Sequence, residues 1–272
     1  MPEGPEILFC TTFFRQYLKK CTITDIISYT DKKIIVPANY VGKVNDVNCK
    51  GKQMWIVVSS KTKGENYFLH IHYGLDGWIS NEQINDKNIK YEFIINNQPN
   101  LFLEDPINLS KVLILNESEH LKVIDNLGID VFSPEFTLNV FKEQIKKRKS
   151  LLAGFLLNQN IFSGMGNYVK NEVLFMGDLK VNVKTNELTD KDIDNLYKNI
   201  LYVVYSKFMT QLNKSNMTKT DVNKNKLINM PKRINKNYSF KVYKKKVTGD
   251  GQKVIKVKVS GRDSYSVKEL LS

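Results

Sequence analysis

Between residues 22 and 115 the chain breaks into short segments rich in β-branched and aromatic residues, separated by Gly, Asn and Lys clusters. They run over residues 22–29, 43–48, 54–59, 67–72, 91–95, 100–104 and 111–115. Such side chains suit a pleated, half-buried surface, and several strands at this spacing suggest a sandwich or barrel. The flanking sequence has a different period. Residues 6–18 keep Ile7, Phe14 and Leu18, with Cys10 and Tyr17, at helical spacing. Beyond the Leu127–Pro134 stretch, whose Gly128 and Pro134 suit a crossing between domains, Leu138, Phe141 and Ile145 mark a helix that ends in a basic run at Lys149. Residues 151–157 suggest another, and Thr189 caps a long helix reaching Leu212, with Ile193, Leu196, Ile200, Val203 or Val204, and Phe208 on its buried face.

The pattern predicts an α+β chain, and 272 residues are enough for two cores. Residues 1–126 are expected to form an N-terminal β-sandwich with a leading helix, 127–134 a linker, 135–237 a helical domain and 238–272 β-hairpins. In the tail, residues 238–247 and 253–259 alternate apolar with basic residues around Thr248-Gly249-Asp250-Gly251, a hairpin signal. Ser260-Gly261-Arg262 then supplies a turn with an arginine at its tip. Residues 213–237 are polar, basic and poor in aromatics, the composition of a mobile loop or disordered spacer.

A net charge of +13 points to a polyanionic partner. Basic residues spread along the chain, without one amphipathic basic helix, favour nucleic acid over a membrane surface. An AT-rich coding sequence, which inflates Lys, Asn and Ile together, accounts for part of the charge. Cys10, Cys21 and Cys49 are odd in number and lack a C-x-x-C spacing, which excludes a disulfide framework and a cysteine-rich zinc site. With no long apolar run and no signal-peptide pattern at the N-terminus, the chain is expected to be intracellular, with no membrane partner and no metal or other cofactor. The absence of an evident dimer seam favours a monomer.

Chemistry is concentrated at the start, in Met1-Pro2-Glu3-Gly4-Pro5-Glu6. Removal of the initiator methionine would leave Pro2 as a terminal secondary amine, and terminal amines titrate near pKa ~8, well below lysine. Such an amine attacks a sugar aldehyde carbon to give an iminium ion, an electron sink that eases elimination at the neighbouring carbon. Glu3 stands next to it to exchange protons, and Glu6 either supports Pro2 or lies on the helix surface. Lys50-Gly51-Lys52 is a glycine turn presenting a lysine at the mouth of a strand. In the run from Asn158 to Phe175 a helix stops at Gly164-Met165-Gly166 and restarts at Asn167, exposing backbone N–H groups at a positive helix end where phosphate binds readily. A plain helical corner without a ligand fits the same letters.

Taken in order, the Pro2-Glu3 start, the Lys52 turn, the Gly164–Asn167 turn and the Gly261-Arg262 tip resemble the formamidopyrimidine-DNA glycosylase and endonuclease VIII family of bifunctional glycosylase/lyases. The resemblance implies Pro2 as nucleophile, with Glu3, Lys52 and Glu6 beside it, acting on damaged double-stranded DNA, and on single strands as a second substrate. It implies phosphate contacts from Lys52, Gly166, Asn167 and Arg262, a basic cleft between the domains, and Leu75 as an apolar wedge filling the hole left by a flipped nucleotide. It makes the helical domain a helix-two-turn-helix and, with the finger's cysteines missing, places the chain in the zincless-finger branch. His72 matches a family histidine and is assigned no catalytic role. Asp105-Pro106 is followed by Ile107 and Leu109 where purine-specific members carry Arg and Phe, which leans toward oxidised pyrimidines. Two rival readings are a lyase acting mainly on abasic or single-stranded DNA, and a non-catalytic DNA- or RNA-binding protein, which would need no free Pro2.

Overall fold

The computed structural model describes residues 2–30, 42–59, 65–82 and 86–271, leaving Met1 outside. The chain divides into two compact units, residues 1–126 and 127–272.

The first unit opens with helix α1 (Gly4–Tyr17), followed by β1 (Thr22–Ser28), β2 (Gly42–Lys50), β3 (Gln53–Ser59), β4 (Asn66–His72), β5 (Trp78–Ser80), β6 (Ile89–Ile95), β7 (Leu101–Glu104), β8 (Lys111–Leu115) and helix α2 (Glu117–Asp125). The strands are ordered β5-β7-β6-β1-β2-β3-β4-β8. Where β1 meets β2 the ladder holds only Thr22↔Lys43 and Ile23↔Gly42, so the sheet divides there into two leaves. Gly42 is required at that crossing, because a Cβ on it would lie 1.6 Å from the carbonyl oxygen of Ser59. One apolar core takes Ile23, Phe93 and Leu103 from the first leaf, Ile56, Leu69 and Ile71 from the second, and Ile7, Phe14 and Leu18 from the α1 region. The alternation of β6, with Ile89, Tyr91, Phe93 and Ile95 buried, is the period-two signature of a strand with one face inward. Arg15 latches α1 to β2 through Asp46 (3.1 Å), Asn48 Oδ1 (2.9 Å) and the carbonyl of Val47.

The expected strands form with ends shifted by a residue or two, but β5 and α2 go beyond the pattern. Helix α2 escapes because its buried side chain is a histidine, while Leu121 is half exposed. His120 stacks on Phe68 with ring centroids 4.0 Å apart, packs beside Trp55, and shares a 2.8 Å hydrogen bond between its Nδ1 and His70 Nε2.

The second unit contains β9 (Ile129–Asp130), α3 (Leu138–Lys146), α4 (Leu152–Leu157), β10 (Phe162–Ser163), α5 (Asn167–Met176), α6 (Asp190–Asn213), β11 (Ile255–Val259) and β12 (Arg262–Ser266). Strand β9 pairs in parallel with β10, so the expected linker residues belong to this unit's structure. Its core is aromatic, with Phe136 and Phe155 each in ring contact with Phe141 and Phe162, which also touch each other.

The C-terminal unit departs from expectation in two places. Residues 213–237 are anchored, not a free spacer: Lys226 pairs with buried Asp130 (2.5 Å), Asn229 Nδ2 donates to the carbonyls of Ser133 and Phe136, and Met217 and Val222 are buried. Polar side chains there satisfy backbone carbonyls, a role that composition does not show. The hairpin expected from 238–259 reduces to a turn bridged at Val247 and Lys253, and the regular hairpin is β11 with β12, closed at Ser260-Gly261. The amides of Lys241, Val242 and Tyr243 are drawn instead to the carboxylate of Glu172.

Burial, reinforced by His120, lowers the pKa of His70 from 6.5 to about 4, and burial lowers that of His120 against the pull of Glu117 and Asp125. Both imidazoles therefore fold neutral. The unfolded chain binds more protons below pH 6.5, so their contribution is complete above 6.5 and lost as pH falls toward 4. For His70 it is about 3 kcal/mol. Urea unfolding across that window should show a shallower loss in His70→Gln than in the wild type. Equal slopes would rule out the pair as the source.

Candidate active site and nucleic-acid interface

The N-terminal unit gathers its candidate residues at the start of α1 and at one end of the second leaf. Glu3 precedes the helix in extended conformation and is 1% exposed. Its backbone N–H donates to Glu6 Oε2 at 3.0 Å. Glu6 is thus used to fix the backbone of Glu3, and the half-buried Pro2 stands directly before it. Pro5 in the first turn costs nothing, since amides there lack helical partners.

Lys52 occupies a two-residue turn between β2 and β3, after Gly51 in the left-handed region (φ 60°). Its neighbour Lys50 reaches away and donates to the carbonyl of Ile124 at 3.0 Å. His72, paired with Lys111 across β4 and β8, has its pKa lowered first by desolvation, then by Lys111 and Lys52. Three cationic or potentially cationic groups therefore share one strand end. Burial, with the two lysines adding to it, keeps the imidazole neutral, and the cationic cluster favours an anion beside it.

The loops next to this end expose apolar side chains by construction. Gly74 takes φ 63°, and a Cβ on it would lie 2.8 Å from the Leu109 carbonyl carbon, so the Leu75 loop packs against the Leu109 loop. Beneath the first loop, Tyr73 donates to Met54 Sδ at 3.5 Å and contacts Cys10, whose thiol is pushed up to about 12 by burial and stays protonated. Beneath the second, the fully buried Asp105 accepts from the amides of Ile107 (3.2 Å), Leu109 (2.6 Å) and Ser110 (2.5 Å). The acid turns the chain inward at the amides and the side chains outward. Leu75 is left 40% exposed, and Ile107 and Leu109 46% each.

In the C-terminal unit the turn before α5 is tied by Gln159. Its Nε2 donates to the carbonyls of Leu157 (3.0 Å) and Met165 (2.8 Å), and its Oε1 accepts from Gly164 N–H (3.1 Å). Gly166 caps α5 in extended conformation, and Asn167 begins the helix with its Oδ1 buried and without a hydrogen-bond partner. An unsatisfied buried polar atom at a helix N-terminus is costly unless a ligand or water serves it. Arg262 is exposed at the first position of β12, beyond two left-handed residues, Ser260 (φ 51°) and Gly261 (φ 72°).

Sequence reasoning missed Lys170 and Asn171, which hold this hairpin, and Glu172, which holds residues 238–243 before it. All three are buried inside α5. Glu172 accepts from Tyr238 OH (2.5 Å) and from the amides of Lys241 (2.7 Å), Val242 (3.0 Å) and Tyr243 (2.9 Å). Burial first, and the Glu172 charge second, push the Tyr238 phenol up, so it remains the donor. A polar, charge-bearing triplet between Val169 and Val173 on an otherwise apolar helix was the available signal. Among the described residues no group of three or more His, Cys, Asp or Glu side chains is placed to hold a metal ion, and no helix is long and apolar enough to cross a membrane.

A β-rich unit opening on Pro2-Glu3, joined to a helical unit with a capped Gly-x-Gly turn and an arginine-tipped hairpin, defines a DNA glycosylase fold. Residues 1–112 match the formamidopyrimidine-DNA glycosylase N-terminal domain and residues 127–218 the formamidopyrimidine-DNA glycosylase H2TH domain. The chain belongs to the formamidopyrimidine-DNA glycosylase/endonuclease VIII family. It is 26% identical over 184 residues to the formamidopyrimidine-DNA glycosylase of Wolbachia pipientis (strain wPip), covering 64% of this chain and 66% of that protein. It is 32% identical over 167 residues to human Endonuclease 8-like 3, covering 57% of this chain and 25% of the relative. Among solved structures, the Lactococcus lactis formamidopyrimidine-DNA glycosylase bound to AP-site DNA superposes with a TM-score of 0.76 at 16% identity over 99% of each chain. A Lactococcus lactis variant bound to Fapy-dG DNA gives 0.78 at 17% identity over 100% of each chain.

Replacing Glu172 by Ala removes the acceptor of four buried or half-buried donors at once. The cost should be about 3 kcal/mol or more. Thermal unfolding should show it, with Glu172→Gln intermediate because one oxygen still accepts.

Proposed function

We propose that the chain is a bifunctional DNA glycosylase and AP lyase of base excision repair, working through the amine of Pro2 and favouring oxidised pyrimidines. The observation that carries the reading is the start of α1: a secondary amine, once Met1 is removed, directly before a carboxylate that is 1% exposed and whose backbone is held by Glu6. The nitrogen lone pair of Pro2 forms a bond to C1′ of the damaged nucleotide as the glycosidic bond breaks and its electron pair leaves with the base. The N–H proton of Pro2 passes to the departing base and restores the nitrogen lone pair, Glu3 delivers a proton to the ring oxygen as the sugar opens, and that lone pair closes to an iminium ion. A base removes the proton from C2′, the electron pair left behind flows into the iminium as an enamine and its return expels the 3′ phosphate, and a second elimination expels the 5′ phosphate. A one-nucleotide gap with phosphate ends remains.

Extruding the nucleotide costs a few kcal/mol and less at a damaged base. Phosphate contacts from Lys52, Gly166, Asn167 and Arg262 offset that cost. A guanidinium suits two phosphate oxygens at once, and a helix N-terminus suits one more. Leu75 occupies the vacated space in the stack. The pyrimidine preference is supported by Ile107 and Leu109, which offer the orphaned partner base an apolar contact and no hydrogen-bond donor from their side chains.

Borohydride trapping on a duplex with one oxidised pyrimidine, beside an abasic duplex, tests the reaction. The tag-free protein should form a covalent adduct on both, and Pro2→Gly on neither. An adduct on the abasic duplex alone would reduce the activity to a lyase, and salt-sensitive binding without any adduct would leave a DNA-binding protein. Glu3→Gln should slow base release by about 10²- to 10⁴-fold while leaving duplex affinity within a factor of a few.

A further inference from the structure

Asn167 opens α5 and Arg262 opens β12, far apart in the sequence, and consecutive side chains of α5 fasten the two together. Lys170, with no exposed surface, donates from Nζ to the carbonyl of Asp263 (3.1 Å) and to Ser264 Oγ (2.8 Å). Asn171 accepts from the Tyr265 amide (2.7 Å) and donates from Nδ2 to the carbonyls of Asp263 (3.3 Å) and of Asn167 itself (2.7 Å). Every one of these partners on β12 follows Arg262 within three residues. At the hairpin tip a Cβ on Gly261 would meet nothing within 4 Å, while Ser260 lies beside Gly154.

Stability alone does not call for a lysine here. Burying an ammonium is expensive, and an apolar side chain of similar length would fill the space without that cost. An apolar contact, however, lets a strand slide, whereas directed hydrogen bonds to the Asp263 carbonyl, the Ser264 hydroxyl and the Tyr265 amide set its register on the helix. We propose that Lys170 and Asn171 are positioning residues that lock β12 onto α5, so that Asn167 and Arg262 form one preformed phosphate-binding pair. The inference rests on the assignment of Arg262 as a phosphate contact made above. Its consequence is that ordering cost is met on folding and not on binding.

A double-mutant cycle tests it, read as the affinity for a duplex containing a tetrahydrofuran abasic-site analogue at fixed salt. Lys170→Met should weaken binding about tenfold and Arg262→Ala at least as much, and the double variant should bind no more weakly than Arg262→Ala alone. In a Lys52→Ala background, where the altered contact lies in the other unit, the Lys170→Met loss should persist in full. Single effects that multiply in the Arg262 cycle would overturn the inference. Arg262→Ala without effect would instead overturn the assignment of Arg262. Should Lys170→Met fail to fold, the same cycle with Asn171→Asp decides, since it keeps the acceptor for Tyr265 and loses both donors.

Discussion

A buried carboxylate must have its water replaced by donors, and at Glu172 all of them come from residues 238–243, some seventy positions further along the chain. That one side chain decides how the C-terminal segment returns to α5. It removes three consecutive amides from any strand ladder, which is why residues 238–247 wrap onto the helix and the regular hairpin forms only at β11 and β12. The Lys170 and Asn171 side chains then hold β12 by the same principle. Helix α5 thus begins at the Gly166-Asn167 turn and organises an arginine-bearing hairpin along its first two turns.

The N-terminal unit solves a related problem with acids at turns. Glu3 and Glu6 fix the first turn of α1, and Asp105 gathers three amides of one loop so that Ile107 and Leu109 face outward. In both places a carboxylate shapes the backbone around a neighbouring group, which is Pro2 in the first case and an apolar surface in the second. The sheet beneath gives these turns a rigid base, and Gly42 allows the two leaves to meet at β1 and β2.

Much of this was legible in the sequence where one residue type does one local job. Alternation along β6, the apolar stripe of α6, the glycine turn at Lys52 and the Gly-x-Gly turn before Asn167 read directly, because period and backbone conformation are short-range properties. Other features hid behind polar letters. His120 is the buried contact of α2, Lys226 and Asn229 anchor a segment whose composition resembles a spacer, and Lys170 to Glu172 form a buried polar cluster on α5. A polar residue is read as solvated unless its partner is known, and each of these partners lies far away in the chain.

The amino-acid sequence by itself therefore determined the α+β class and the order of most elements, because these depend on neighbours within a few positions. Only the tertiary structure decided that Glu6 serves Glu3, that the C-terminal hairpin is closed at Ser260-Gly261, and that α5 holds it through Lys170 and Asn171 while Glu172 holds residues 238–243. Those outcomes are set by which buried donor meets which buried acceptor, and that pairing exists only once the chain has folded.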